Sequence, residues 1–324
     1  MQSMRFRTHT GLVAAAAVAT MALGIGSARA SLLNYDDFAY ATGNVGGDTS
    51  PSPYSIPWAS GTSDTVVTSS LSYPSSVGTP PADPASTYNG ALSVPSGTTS
   101  PNRINIQNSG SSITSGSVYY SFLLSVNPSD PNLEPNTFTN PNGSTNNEGG
   151  LEGLIAGLVD AGAGNGALGT LDNGIYIRAG STAGTVDIGI GGTRNHSTVG
   201  WSGDISASQP ILVVGNYNIV TLGSSYTDNV YLDPTLGQGA PTANASSSAG
   251  SEDGGKHDGG VTSFFFTNDD DPTDGNTTPN YTVDELRVGT AYADVTPGTP
   301  APEPASVALL GVSSLMLLRR KARS

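Results

Sequence analysis

The apolar positions of this chain fall in short runs of alternating pattern, separated by Gly, Pro, Asn and Ser. In the clearest run, Ser117 to Val126, Val118, Tyr120, Phe122, Leu124 and Val126 share one face. A period of two predicts a strand with that face buried, and the strength of the pattern predicts a central one. Shorter versions predict strands over Arg103 to Gln107, Gly174 to Arg178, Thr185 to Gly191, Asn229 to Leu232, Val261 to Thr267 and Tyr281 to Val288. Ile211 to Leu222 reads as two strands, or as one with a kink near Gly215. About ten short strands joined by Gly-rich turns predict a mainly β fold, a β-sandwich or jelly roll.

Two kinds of segment depart from this rhythm. Leu151 to Asp160 has Leu151, Leu154, Ile155, Leu158 and Val159 at helical spacing, yet Gly149, Gly150, Gly153 and Gly157 each weaken a helix by about 1 kcal/mol relative to Ala. Helix and strand both stay open there. Ser31 to Pro101 is rich in Ser, Pro and Gly and reads partly as loop, while Asn127 to Gly150 and Gln238 to Gly260 read as long polar loops at a sandwich rim. No internal repeat occurs at a solenoid or propeller period.

Composition narrows the picture. With 42 Gly, 22 Pro and 12% charged residues, few long helices can form. The stretch 31–297 is long enough for one large β domain. The formal charge of −14 understates that domain, because seven of the 12 Lys and Arg lie near the ends of the chain. Between Ser31 and Ala301 there are 25 acidic against 5 basic residues, a formal net of −20. Nucleic acid is therefore not an expected partner, since phosphate neutralisation needs clustered Lys and Arg. The absence of Cys excludes disulfides, thiolate chemistry and Cys-based metal sites.

The two ends carry the most specific signals. Arg5 and Arg7 precede an apolar stretch from Gly11 to Ile25, and Ala28-Arg29-Ala30 forms a small-residue cleavage site. This is the layout of a signal peptide over 1–30, with Ala28 and Ala30 at the cleavage positions and Ser31 as the mature start. At the other end, over 298–324, Pro302-Glu303-Pro304 is followed by an apolar run from Ala305 to Leu318 and then by Arg319, Arg320, Lys321 and Arg323. The prolines set a helix boundary, the apolar run can insert into a membrane, and the basic cluster stays cytoplasmic. As a helix the run measures only about 21 Å, so snorkelling arginines and local thinning would make up the bilayer thickness.

In order and composition this tail resembles the PEP-CTERM sorting signal of Gram-negative bacteria. The resemblance implies export and recognition by an exosortase, a membrane transpeptidase, with processing near Pro302 to Pro304. It also implies membrane anchoring through the tail during sorting, and then residence at the cell surface or in an exopolysaccharide matrix.

Three patches of the body resemble exported bacterial proteins bearing the same tail. Leu33-Asn34-Tyr35-Asp36-Asp37-Phe38-Ala39-Tyr40-Ala41-Thr42-Gly43 is similar to their D-F-x-Y-x-x-G opening, Asn229 to Pro234 to an internal strand, and Val283 to Val295 to their terminal strand. The resemblance implies a laminin-G-like, concanavalin A-like jelly-roll sandwich in which the first and last patches form neighbouring strands of one sheet. From the residues themselves, Glu285 and Arg287 read as a structural charged face, and Asp36 and Asp37 as turn or edge residues.

Little catalytic chemistry can be read from the chain. Laminarinase-like sandwiches set Glu-x-Asp-x-x-Glu on one strand, and no such spacing occurs; Glu148 and Glu152 lack the intervening Asp. His196 and His257, the two histidines of the body, stand near no nucleophile elbow. Asp269, Asp270, Asp271 and Asp274 form the densest oxygen cluster, either an acidic turn or a loose Ca²⁺ site, and not an EF-hand because Pro272 and Tyr281 occupy ligand positions. Trp58 and Trp201 are isolated along the chain. The expected function is a non-enzymatic exported surface or matrix protein whose sandwich binds polysaccharide or serves a structural role. The alternative is a divergent glycan-active hydrolase or lyase on the same fold.

Overall fold

A computed structural model describes residues 32–49, 56–59, 64–79, 90–96, 98–106, 111–133, 153–160, 171–191, 199–221, 225–249, 260–268 and 279–298. The first half of the described chain forms β1 (Leu32–Asp36), β2 (Gly43–Asn44), β3 (Trp58–Ala59), β4 (Thr65–Val67), β5 (Ala91–Val94), β6 (Thr98–Asn105), β7 (Gly116–Val126) and β8 (Leu154–Asp160). There follow β9 (Leu171–Ala179), β10 (Thr185–Gly191), β11 (Gly200–Trp201), β12 (Ile205–Ser206), β13 (Ile211–Thr221), β14 (Ser225–Leu232), β15 (Ala245–Ala249), β16 (Val261–Asn268) and β17 (Tyr281–Gly289). A 3₁₀ turn at Ser75–Val77 and one helical turn, α1 (Tyr292–Val295), complete the described elements.

The strands pair into two antiparallel sheets. Sheet one runs β15-β14-β13-β7-β17-β5-β4-β2, with β1 also on β17; sheet two runs β11-β10-β9-β8-β16-β6-β3, with β12 on β10. The neighbours β7, β17 and β5 of sheet one follow or precede β8, β16 and β6 of sheet two in the chain, so the chain crosses repeatedly between layers at adjacent positions. That is a jelly-roll wrap, and it gives the mainly β sandwich that the alternating runs predict.

The core confirms which faces meet. Val118, Tyr120, Phe122, Leu124 and Val126 of β7 all enter the main core, against Ile104, Ile155, Leu158, Ile175, Ile188, Phe264 and Phe266 of the second sheet. Phe264 packs on Tyr120 at 5.1 Å and on Phe266 at 5.0 Å between ring centres. A second, smaller cluster lies on the outer face of sheet one, where α1 and the segment Leu71–Val77 cover Leu123, Leu212, Val214 and Tyr231.

Several expectations are corrected by this architecture. Leu154–Asp160 is a strand, and its glycines allow close backbone approach: a Cβ at Gly157 would lie 2.1 Å from the Asn173 carbonyl oxygen. Ile211 to Thr221 is one strand whose register with β7 runs unbroken from Ile211↔Leu124 to Ile219↔Gly116. Gly215 marks no kink; a Cβ there would strike the ring of Tyr120 at 2.1 Å. The stretch from Ser31 to Pro101 contributes five strands and part of a sixth, and β15 forms inside the segment expected to be loop from Gln238 to Gly260. The strands before Pro101 are mostly too short to show an alternation, and β15 is built from Ala and Ser alone, so neither region gives a clear apolar pattern.

Candidate functional site

Many residues singled out in the sequence lie outside the described residues. These are Ala28 and Ala30, the sorting motif Pro302, Glu303 and Pro304, the basic cluster Arg319, Arg320, Lys321 and Arg323, the acidic run Asp269, Asp270, Asp271 and Asp274, and Glu148, Glu152, His196 and His257. Among the described residues no group of three or more His, Cys, Asp or Glu is placed to hold a metal ion. No helix among them is long and apolar enough to cross a membrane.

The first and last patches do form neighbouring strands. β1 pairs antiparallel with β17, Tyr35 opposite Arg287 and Asp36 opposite Leu286. Asp36 ends β1 and its carboxyl closes a turn onto Phe38, as its sequence context suggests, but it is also fully buried. One of its carboxylate oxygens accepts the Phe38 N–H at 2.8 Å, and the other accepts the Trp58 indole N–H at 2.7 Å and the Tyr40 hydroxyl. Because Trp58 lies on β3 of the second sheet, this carboxyl fastens one layer to the other. Burial pushes Asp36 up to about 7, against the pull of its three donors.

Asp284 on β17 is held in the same manner by the N–H groups of Leu71 and Glu285, each at 2.8 Å. Burial pushes it up to about 8. Glu285 sits at φ +57° in a bulge of β17 and pairs with Arg287 at 3.3 Å, while the Arg287 guanidinium lies 4.4 Å over the Tyr35 ring. The charged Glu285 and Arg287 thus share a structural face, as the sequence suggests, but the face is covered. A carboxyl with perturbed acidity in a cleft is a candidate for chemistry; Asp36 and Asp284 expose almost nothing and point at internal donors.

A different surface is open. On the outer face of sheet one, opposite the core face of β7, the cross-strand registers align Tyr119, Asn216, Asn229 and Ser246 in a row from β7 through β13 and β14 to β15. A second row beside it holds Ser117, Asn218, Thr227 and Ser248. The first row is stitched together: the Asn229 amide donates to Asn216 Oδ1 at 3.3 Å, and the Ser246 hydroxyl donates to Asn229 Oδ1 at 2.8 Å. In the second, the Ser117 hydroxyl donates to Asn218 Oδ1 at 3.1 Å. Apart from the buried Asn216, every member is half-buried or exposed. An amide offers two N–H donors and two lone pairs, so these contacts leave part of Asn229's capacity free for a ligand.

Aromatic rings border the rows. Tyr292 of α1 stands edge-on to Tyr119 at 6.1 Å and to Tyr231 at 5.4 Å. Burial raises the Tyr292 hydroxyl to about 12, and burial with the neighbouring Tyr119 raises Tyr231 as well. The two tryptophans do not meet. Trp58 is in the core on β3, at one edge of the second sheet, whereas Trp201 is on β11 at the other. Trp201 is half-buried, and the Arg178 guanidinium lies 4.1 Å over its ring while pairing with Asp187 at 2.9 Å. Sequence reasoning named the tryptophans but missed the Asn and Ser rows. Asn within a strand reads as a breaker, and the register that aligns four strands is not visible in one chain segment.

Together these features define an antiparallel jelly-roll β-sandwich with a sealed seam between its first and last strands and an uncharged polar face open beside tyrosines. No protein-family model matches the chain, and no curated protein sequence does. Among solved structures, it is similar to an endo-1,3-beta-glucanase from Streptomyces sioyaensis, at TM-score 0.40 and 11% identity, over 81% of this chain and 96% of that one. It is also similar to a protein of unknown function from Shewanella oneidensis MR-1, at TM-score 0.34 and 10% identity, over 90% and 98% of the two chains. A third is the carbohydrate recognition domain of Emp46p in its metal-free form, at TM-score 0.32 and 7% identity, over 62% and 82%.

Proposed function

We propose that this protein is an exported, non-enzymatic cell-surface or matrix protein whose sandwich binds glycan on the outer face of sheet one. The observation that carries the reading is the row Tyr119, Asn216, Asn229 and Ser246, continued by Ser117, Asn218, Thr227 and Ser248. Sugar hydroxyls are both donors and acceptors, and neutral amides and hydroxyls on a rigid sheet match them without the desolvation cost of a charge. The half-buried ring of Tyr119 supplies apolar area for a sugar face. No Lys or Arg lies in either row, which suits a neutral ligand better than a polyanion.

The delivery of this face to the outside rests on the signal-peptide layout and the PEP-CTERM-like tail, with an exosortase as processing partner. The test is retention of the body on immobilised polysaccharides, including the producer's own. Binding that is lost in Asn229→Ala and Tyr119→Ala supports the reading, and binding to none of them overturns it. For sorting, Glu303→Ala or removal of 319–323 is expected to change the mature C-terminus and the membrane fraction. An unchanged terminus by mass spectrometry refutes that part.

A further inference from the structure

At one end of the sandwich, β4, β5 and β17 of the first sheet face β6 and β16 of the second. Asp64, just before β4, points inward there, because Val66 two residues on is in the core. Asp64 is 1% exposed; its Oδ2 accepts the Asn102 amide, and its Oδ1 has no partner among the described residues. Asn268, at the end of β16, is fully buried in the same corner. Its amide nitrogen donates to the carbonyls of Val94 at 3.4 Å and Pro279 at 3.1 Å, which leaves its Oδ1 also without a partner.

The register brings the two together. Thr65 pairs with Ser93, so Asp64 borders Val94, and Val94 pairs with Tyr281. The Tyr281 hydroxyl closes the corner, its one proton shared between the Ile155 carbonyl at 2.7 Å and the Thr267 carbonyl at 2.5 Å.

Two buried oxygens without donors are costly, and one belongs to a carboxyl group. Among the described residues no cationic side chain pairs with Asp64. The amide of Asn268 has its nitrogen committed, so its oxygen cannot be exchanged for it by a flip without breaking two hydrogen bonds. A proton held on Asp64 or a cation shared by the two oxygens would satisfy such a corner, and the two make different predictions. We propose that this corner binds a hard cation of the Ca²⁺ class, with Asp64 and Asn268 as its side-chain ligands. Ca²⁺ accepts carboxylate, amide and carbonyl oxygens in irregular arrangements, whereas Mg²⁺ demands near-octahedral geometry and keeps its waters. Through Asp64 before β4 and Asn268 on β16, the ion ties the two sheets together at an end that Asp36 does not reach.

The test uses the chelator-treated full chain, read by thermal unfolding and by Tb³⁺ luminescence excited through tyrosine. Ca²⁺ is expected to raise the unfolding temperature saturably, more than equal Mg²⁺, and to displace Tb³⁺. Asp64→Asn should weaken Ca²⁺ at least tenfold, and Asn268→Asp should strengthen it while destabilising the Ca²⁺-free protein. The quadruple Asn variant of Asp269, Asp270, Asp271 and Asp274 should leave the response in place. The proposal is overturned if Ca²⁺ has no effect, if the quadruple variant abolishes the effect, or if Asp64→Asn stabilises equally with and without Ca²⁺. The last outcome would identify Asp64 as a structural carboxyl that is simply protonated.

Discussion

The seam between β1 and β17 and the open rows across β7, β13, β14 and β15 belong to one sheet but use polar groups in opposite ways. At the seam, Asp36 and Asp284 are enclosed and their oxygens are taken up by internal donors. In the rows, neutral amides and hydroxyls bond side to side and keep part of their capacity toward solvent. Perturbed acidity therefore marks the part of this protein that holds it together. The part suited to a ligand contains no ionised group.

Substitutions can break that division, beginning with the largest effect. Asp36→Ala leaves the Trp58 indole, the Tyr40 hydroxyl and the Phe38 N–H without their acceptor and is expected to cost about 3 kcal/mol in chemical denaturation. Asp36→Asn keeps an acceptor and should cost less. A loss as small as that of a surface substitution would show that the seam does not join the layers.

Next comes pH. Asp36 and Asp284 have carboxyls raised from 3.8 to about 7 and about 8. Their folded state holds more protons than the unfolded state between those limits. The stability they contribute is complete below about pH 4 and is lost as pH rises through 7 to 8. At about 1.4 kcal/mol per pKa unit, the expected fall in unfolding free energy from pH 5 to pH 8 is on the order of several kcal/mol. Asp36→Asn should flatten the curve and Asn229→Ala should not; a profile that rises over this interval would contradict the assignment.

Smaller effects sharpen the other side. Tyr119→Ala removes an aromatic contact with Tyr292 and should cost about 1 kcal/mol of stability, with a loss of glycan retention that Tyr119→Phe largely avoids. Ser246→Ala, at an exposed site, should stay within about 0.5 kcal/mol while still weakening retention several-fold. If both change stability and leave retention untouched, the rows are scaffold and not a binding face.

The fold was largely legible where one face of a strand is apolar and the other is not. Ser117 to Val126 became β7 because five alternate side chains reach the core, and Thr185 to Gly191 became β10 with the same bounds. Leu154–Asp160 is ambiguous because both faces are apolar: Leu158 enters the main core, and Leu154 enters a third cluster, on the other face of sheet two, with Tyr176 and Phe265. The turn at Asp36 is legible in the sequence, but its burial is not, for a different reason. Its three donors come from residues 38, 40 and 58, so its burial depends on a fold in which β3 lies across from β1. The rows were invisible because Asn216 and Asn229 become neighbours only through pairing.

One topological fact bears on how the molecule is made. β17, the last strand of the body, lies between β7 and β5 in the sheet and also receives β1, whose Tyr35 contacts Glu285 across 250 positions of sequence. Until Tyr281 to Gly289 has emerged, β7 keeps an open edge and β1 has no partner. A chain delivered from its N-terminus must therefore wait, incomplete and adhesive, for its end. Slow closure is the expected consequence, and a fragment stopped before Tyr281 should aggregate instead of folding to a smaller sandwich.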